Sequence, residues 1–386
     1  MRKMLVLSIL LLAAAVLPLS AYADVTVDVS FGQVQIGDTH VEFFDSYGVP
    51  QRMIHKGEVL VKQSDPAAGG LIDISAKREL SVTVDGAQDV TVTLRDVVIA
   101  APGERAALDI TGDSDVQVEL DGSNALTGGD NHAGLEVDSG SFVTIRDADE
   151  DGGALVASGG IHGAGIGGAF ECDSGGILVE SGEVVAVAGK GSAGIGGGRY
   201  GSGQNIAIAG GKVTATGDKH GAGIGGGENG DGSDILISGG EVEAVSGDAG
   251  AGIGGGDGGH GAYISIIGGE VKAVSAHSGA GIGGGAKGNG SKIHIEGGSV
   301  NAVAGDLGAG IGGGWKGYGV SIAISGDAAV TAEGKANGAN IGDGAGESDI
   351  QKPDKVDVTR LSFFGTYNDM PGDYSRMNVV PLSPTP

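Results

Sequence analysis

The sequence predicts an all-β protein, a parallel β-helix solenoid with three short strands in each 29-residue coil, and three observations lead there. Glycine supplies 81 of 386 residues, yet 40% of residues are apolar and they recur in order. Collagen needs strict Gly-X-Y spacing, which is absent, and disorder needs low hydrophobicity. A seven-residue word, GAGIGGG, stands at Gly221–Gly227, Gly250–Gly256, Gly279–Gly285 and Gly308–Gly314, with near-copies at Gly163–Ala169 and Ser192–Gly198. Its isoleucines, Ile166, Ile195, Ile224, Ile253, Ile282 and Ile311, are 29 apart every time. An independent marker, I-x-I-x-G-G-x-V-x-A, begins at Ile206, Ile235, Ile264 and Ile293, with looser copies from Ile177 and Ile322, again at 29. Two markers in phase define a repeat architecture.

Each unit holds three alternations, such as Ile235/Ile237, Val242/Ala244 and Ala251/Ile253. A period of two marks a strand with those residues on one face. No stretch repeats at 3.6 residues and glycine bounds every run, which excludes helix. Three strands per unit make a coil with three sides. Stacked coils set Ile on Ile and Val on Val around an apolar interior. A lone coil cannot fold: about four large aliphatics contribute on the order of 10 kcal/mol, whereas ordering the residues costs roughly 30–60 kcal/mol. In the word itself, alanine and isoleucine are expected to face inward and the alternating glycines outward, leaving the third side a strip of bare backbone. Either the small residues simply permit a corner with φ > 0, or the strip lets another surface approach the backbone.

In chain order, residues 1–23 read as an export signal. Arg2 and Lys3 precede the uncharged run Met4–Pro18, and Ala21-Tyr22-Ala23 fits a cleavage site. The run is short for a membrane span, so the cleaved chain is expected to be secreted or held on a bacterial cell surface, without membrane insertion. Residues 24–75 alternate without a period and form an N-terminal cap or early coils. Residues 76–160 read as irregular coils, with Val92/Leu94, Val118/Leu120 and Val143/Ile145 about one coil apart; LDGSNALTGG at Leu120–Gly129 reads as a strand followed by a polar turn. Residues 161–346 are the regular repeats. In 347–386, Leu361–Phe364 could form a C-terminal cap strand before a proline-rich tail.

The formal net charge is −26, and removing Arg2 and Lys3 deepens it. That balance excludes nucleic acid, which needs a basic footprint, but admits divalent cations. Scattered acids also keep a stacked β protein soluble and discourage edge-to-edge association. Cys172 is the single cysteine, so an internal disulfide is excluded.

The words LDGSNALTGG, AGLEV, GGALVASGG, GAGIGGG and I-x-I-x-G-G-x-V-x-A, in that order across Leu80–Gly346, resemble secreted glycine-rich β-helix proteins of bacteria, often labelled carbohydrate-binding. The resemblance implies a right-handed solenoid, the hand that parallel crossovers prefer. It also implies binding of plant or bacterial polysaccharide, assisted in some cases by calcium. These words describe coil geometry and carry over no site residue.

Catalytic motifs find little support. Gly259-His260-Gly261 spells the GHG of polygalacturonases, but their NTD and RIK companions are absent. A lyase site needs clustered carboxylates and an arginine base, and Arg199 is the only arginine between Arg146 and Arg360. G-x-G-x-x-G matches lack a following helix. One constellation remains. Four residues after each word's isoleucine stand Phe170, Arg199, Glu228, Asp257, Ala286 and Trp315; seven after it stand Asp173, Ser202, Asp231, His260, Asn289 and Tyr318. Stacking lines each column up along the solenoid. Exposed loop tips vary by default; alternatively the columns form a ligand track. On that reading Trp315, Tyr318 and Tyr200 stack on sugar rings, and Glu228, Asp231 and Asp257 hold calcium. The leading expectation is an exported, non-catalytic binder of acidic polysaccharide. A structural or adhesive surface spacer is second, and a lyase or hydrolase third.

Overall fold

The structure, a computed structural model, describes residues 25–28, 34–36, 40–44, 47–54, 58–62, 70–149, 152–346 and 356–358. The expected export signal, the strand Leu361–Phe364 and the proline-rich tail lie outside them. Among the described residues there is no helix. Strands form three sheets, which we call A, B and C, of 12, 13 and 11 strands.

The 29-residue period is the register of all three. In sheet A, Ile195 pairs with Ile224 and Ile224 with Ile253. In sheet B, Ile206, Ile235 and Ile264 pair in succession; in sheet C, Val213, Val242 and Val271 do so. These side chains fill one continuous dry interior. The strands of one unit are Gly232–Ile237, Glu241–Ser246 and the two-residue Ile253–Gly254.

Three details depart from the sequence reading. The stretch after Leu120 is not a polar turn: Ser123–Thr127 is a strand of sheet C. Asn124 makes this possible, because its buried carboxamide accepts from Val97 N–H (3.1 Å) and donates to Ala154 O (3.1 Å), tying three coils together. In the irregular coils Val118 pairs with Val92 and with Ile145, one alternation beyond Val143. The third departure is the glycine strip. It is not bare, because Gly221–Gly227 are all buried.

Backbone covers backbone on that side. Ala222 N–H donates to Gly226 O (2.8 Å) as the chain folds back, and Gly203, at the start of a sheet B strand, lies against Cα of Gly225 in the next coil. The glycine of each Ile-Gly pair, from Gly167 to Gly342, has φ of 129–137°. A Cβ on Gly225 would come within 3.0 Å of the Gly254 carbonyl, so both conformation and space demand glycine. The word is thus a self-packing device, which removes the reading of an open strip for another surface.

The strands Val25–Asp28 and Val34–Ile36 pair in parallel with the following coil. The antiparallel pair His40–Phe44 and Pro50–Ile54 extends sheet B at that end. At the other end Val356–Val358 lies antiparallel on Ala329–Glu333.

Candidate functional site

The corner between sheets A and B carries the columns singled out in the sequence. Its backbone is held coil to coil. The N–H groups of Arg199, Glu228, Asp257, Ala286 and Trp315 donate to the carbonyls of His162, Gly191, His220, Ala249 and Ser278. The residue after each of these, and after Phe170 in the coil before them, is left-handed, with φ of 62–85° at Glu171, Tyr200, Asn229, Gly258, Lys287 and Lys316. Five of these six are not glycine, so the corner repeatedly accepts a conformation that disfavours side chains.

The second column is a hydrogen-bond ladder. Asp173 Oδ1 accepts from Ser202 N–H (2.6 Å), Ser202 Oγ from Asp231 N–H (3.3 Å) and Asp231 Oδ1 from His260 N–H (2.7 Å). His260 Nδ1 then accepts from Asn289 N–H (2.9 Å), and Asn289 Oδ1 from Tyr318 N–H (2.9 Å). Each side chain caps the next coil's backbone donor, which would otherwise lack a partner in the stack. Asp, Ser, His and Asn share one property, an acceptor atom close to the main chain.

The candidate site residues therefore divide. Asp231 is a rung of the ladder. Glu228 pairs with Arg199 Nε at 2.8 Å and Asp257 with His220 Nδ1 at 3.1 Å. The three expected calcium ligands face separate partners and do not converge. Tyr200 lies 5.8 Å from the Phe170 ring, centroid to centroid, and under the Arg199 guanidinium at 4.7 Å. Phe170 in turn meets His162 at 5.1 Å. Four coils away, Trp315 is half-buried with Lys316 Nζ 4.4 Å over its ring, and Tyr318 is 63% exposed. The rings form two groups, one at each end of the regular corner.

Carboxylates do converge elsewhere. Thr83, Asp109 and Glu136 are successive partners on the outer face of sheet A, in the column that becomes Gly167 in the next coil. Ligand atoms of Asp109, Glu136 and Asp138 lie within 4.8 Å of one another, the single such acidic, His or Cys group among the described residues. Glu136 is buried and accepts from Ala133 N–H (3.0 Å) and meets His132 Nδ1 (2.9 Å). Thr111 Oγ1 donates to Asp138. Asp109 Oδ1 is buried without a hydrogen-bond partner. Burial first, then the charges of Glu136 and Asp138, push Asp109 up to about 7. The hydrogen bond to Glu136 holds His132 above its usual value despite burial. Cys172 is exposed; the sheltering of its sulfur and these same acids raise its thiol, which makes it a poor nucleophile.

Beside this cluster an open groove of about 320 Å³ spans three coils, lined by Ser139, Ser141, Phe142, Ser174, Gln204 and Asn205. The alternations around Leu108–Thr111 and Leu135–Val137 could have revealed Asp109 and Glu136, since both are the outward member of a short strand. Their spacing of 27 falls outside the 29-residue period of the regular coils.

Five successive stretches, 177–199, 206–228, 235–257, 264–286 and 293–315, match the family described as Beta helix repeat. No curated protein and no solved structure matches the chain. The matched stretches recur at the same interval as the paired isoleucines, so the repeat that the chain shares with that family is one coil of the parallel β-helix seen in its three sheets.

Proposed function

We propose that the protein is an exported, non-catalytic polysaccharide-binding β-helix that acts in the medium or on a bacterial cell surface. One observation carries this reading. The A–B corner holds side chains at fixed intervals along a rigid axis, and it carries exposed or half-exposed rings toward both ends, Phe170 beside Tyr200 at one and Tyr263, Trp315 and Tyr318 in the coils of Ile253 and Ile311. Rings spaced along one corner, beside hydroxyl and amide groups, suit an extended chain of sugars that stack by their apolar faces and hydrogen-bond by their edges. The absence of catalysis is supported by the burial of Glu136 and by its engagement with His132 and Ala133 within the only three-carboxylate cluster among the described residues. Export is supported by Arg2, Lys3 and the apolar run Met4–Pro18. Calcium assistance would draw on Asp109, Glu136 and Asp138, whose oxygens are close enough to share an ion.

The test is retention of the full chain on immobilised neutral and acidic glycans, with calcium and with chelator. Binding that weakens after Tyr318→Ala and Trp315→Ala supports the reading; retention by no glycan removes it. Release of reducing or unsaturated sugar ends would replace it with a lyase or hydrolase.

A structural or adhesive spacer is the second reading, and the ladder from Asp173 to Tyr318 favours it, because that column serves coil-to-coil cohesion. It predicts unchanged surface assembly when the corner rings are truncated.

A further inference from the structure

Charge along the A–B corner shifts from mainly acidic, with Arg199 as the exception in the coil of Ile195, to basic beyond Asp257 in the coil of Ile253. In the coils of Ile166 and Ile224 its outward columns carry Glu171 and Asp173, then Glu228, Asp231 and Asp234. In the coils of Ile282 and Ile311 they carry Ala286, Lys287, Asn289 and Lys292, then Trp315, Lys316, Tyr318 and Ser321, with no carboxylate among them. This happens in a chain with 49 acidic and 23 basic side chains. Lys287, Lys292 and Lys316 are all exposed. Two of them lie over rings: Lys292 Nζ is 4.1 Å from the centroid of Tyr263 and bonds its hydroxyl, and Lys316 covers Trp315.

We propose that this lysine–aromatic patch, on the coils of Ile253, Ile282 and Ile311, binds an extended anionic saccharide directly, without calcium. The inference rests on the polysaccharide-binding reading and assigns its place and ligand chemistry. Lys287 and Lys316 occupy the same corner position in successive coils, and the rise per coil, about 4.8 Å, is close to the length of one pyranose residue. A chain lying along the axis with one acidic group per sugar would present its charges at the interval of the lysines. Tyr318, the most exposed of these rings, stands in the same coil as Lys316, and Tyr263 and Trp315 each carry a lysine over the ring. Duplex nucleic acid carries a charge about every 1.7 Å, far denser than this patch, and the acidic remainder of the molecule repels it. Nearly matched spacing therefore selects a sparsely charged saccharide.

The experiment is binding of the full chain, in chelator, to a polyuronate, a sulfated polysaccharide, an uncharged polysaccharide and single-stranded DNA, over a salt series. Lys287→Glu/Lys292→Glu/Lys316→Glu is compared with the milder Lys→Gln triple variant, and circular dichroism checks folding of both. The expected result is salt-sensitive binding to polyuronate or sulfated chains, the two arms identifying the acidic group. It should weaken about tenfold or more in the Glu variant and less in the Gln variant. Acidic-glycan binding that requires calcium, or that ignores the lysines, overturns the proposal, as does DNA binding of equal strength. Retention of uncharged glycan alone overturns this assignment while leaving the polysaccharide reading intact; retention of none removes both.

Discussion

The coils before Gly160 and those after it close the same three-sheet tube in two ways. In the earlier coils, side chains cover the outer face of sheet A: Thr83, Asp109 and Glu136 stand in one column there. In the later coils that column is glycine from Gly167 to Gly342, and the chain's own folded-back backbone takes the place of side chains. Corner capping differs as well. Ser114 and Ser141 in the earlier coils cap the preceding coil's N–H groups, at Ala87 and Ser114, whereas the later ladder caps the following coil. The contrast shows that glycine is not a general requirement of the coil. It is required where main chain must lie on main chain, and where side chains do the covering, titratable groups can be buried.

The comparison is sharpest at its glycines. Gly225→Ala adds a Cβ against the Gly254 carbonyl at φ +130°, whereas Gly86→Ala meets nothing closer than 3.7 Å at φ +65°. We expect a loss of about 4 kcal/mol or failure to fold for the first, and about 1 kcal/mol for the second. Equal losses in chemical denaturation would erase the distinction between the two coverings.

The buried acids of the earlier coils give the next effect. Asp109 keeps its proton in the native state up to about 7, while the unfolded chain releases it near the ordinary aspartate value of 3.8. The native state therefore binds more protons in that window, and stability falls as pH rises through it. The decline is on the order of 3 kcal/mol between pH 4 and 8 in chelator. Asp109→Asn should flatten it and melt higher than the parent at pH 8. A parent whose stability does not fall across this range contradicts the description of the cluster.

The smallest effect belongs to the later corner. Asp231→Ala removes the acceptor for His260 N–H and should cost about 1 kcal/mol, with faster hydrogen exchange at His260. Asp248→Ala, whose only contact of this kind is a 3.6 Å approach to His277, should cost less.

The fold was legible because in-register stacking forces every coil to repeat the same inward residues, so Ile195, Ile224 and Ile253 report the architecture directly. Alternation shows which residues point out but not what lies over them, and the glycine side was accordingly mistaken for open backbone. The ladder escaped notice because Asp173, Ser202, His260 and Asn289 differ in charge and shape while sharing an acceptor. Column spacing places Trp315 and Tyr318 on one loop of the A–B corner, and Tyr200, outside both columns, stands on a loop of the same corner four coils away. Columns group Glu228, Asp231 and Asp257, but partners in neighbouring coils, the Arg199 guanidinium, the His260 N–H and the His220 ring, decide where the carboxylates point.

Register is the claim on which all of this stands, and disulfide trapping tests it directly. In a Cys172→Ser background, Thr214→Cys/Glu243→Cys joins direct partners on sheet C, with Cα atoms about 4.8 Å apart, inside the range a disulfide spans. Thr216→Cys/Glu243→Cys is diagonal and lies beyond roughly 7 Å. Rapid, complete oxidation within a monomer of the first pair and not the second is the predicted result. Preferential linkage of the second pair would mean that successive 29-residue units are not stacked as described.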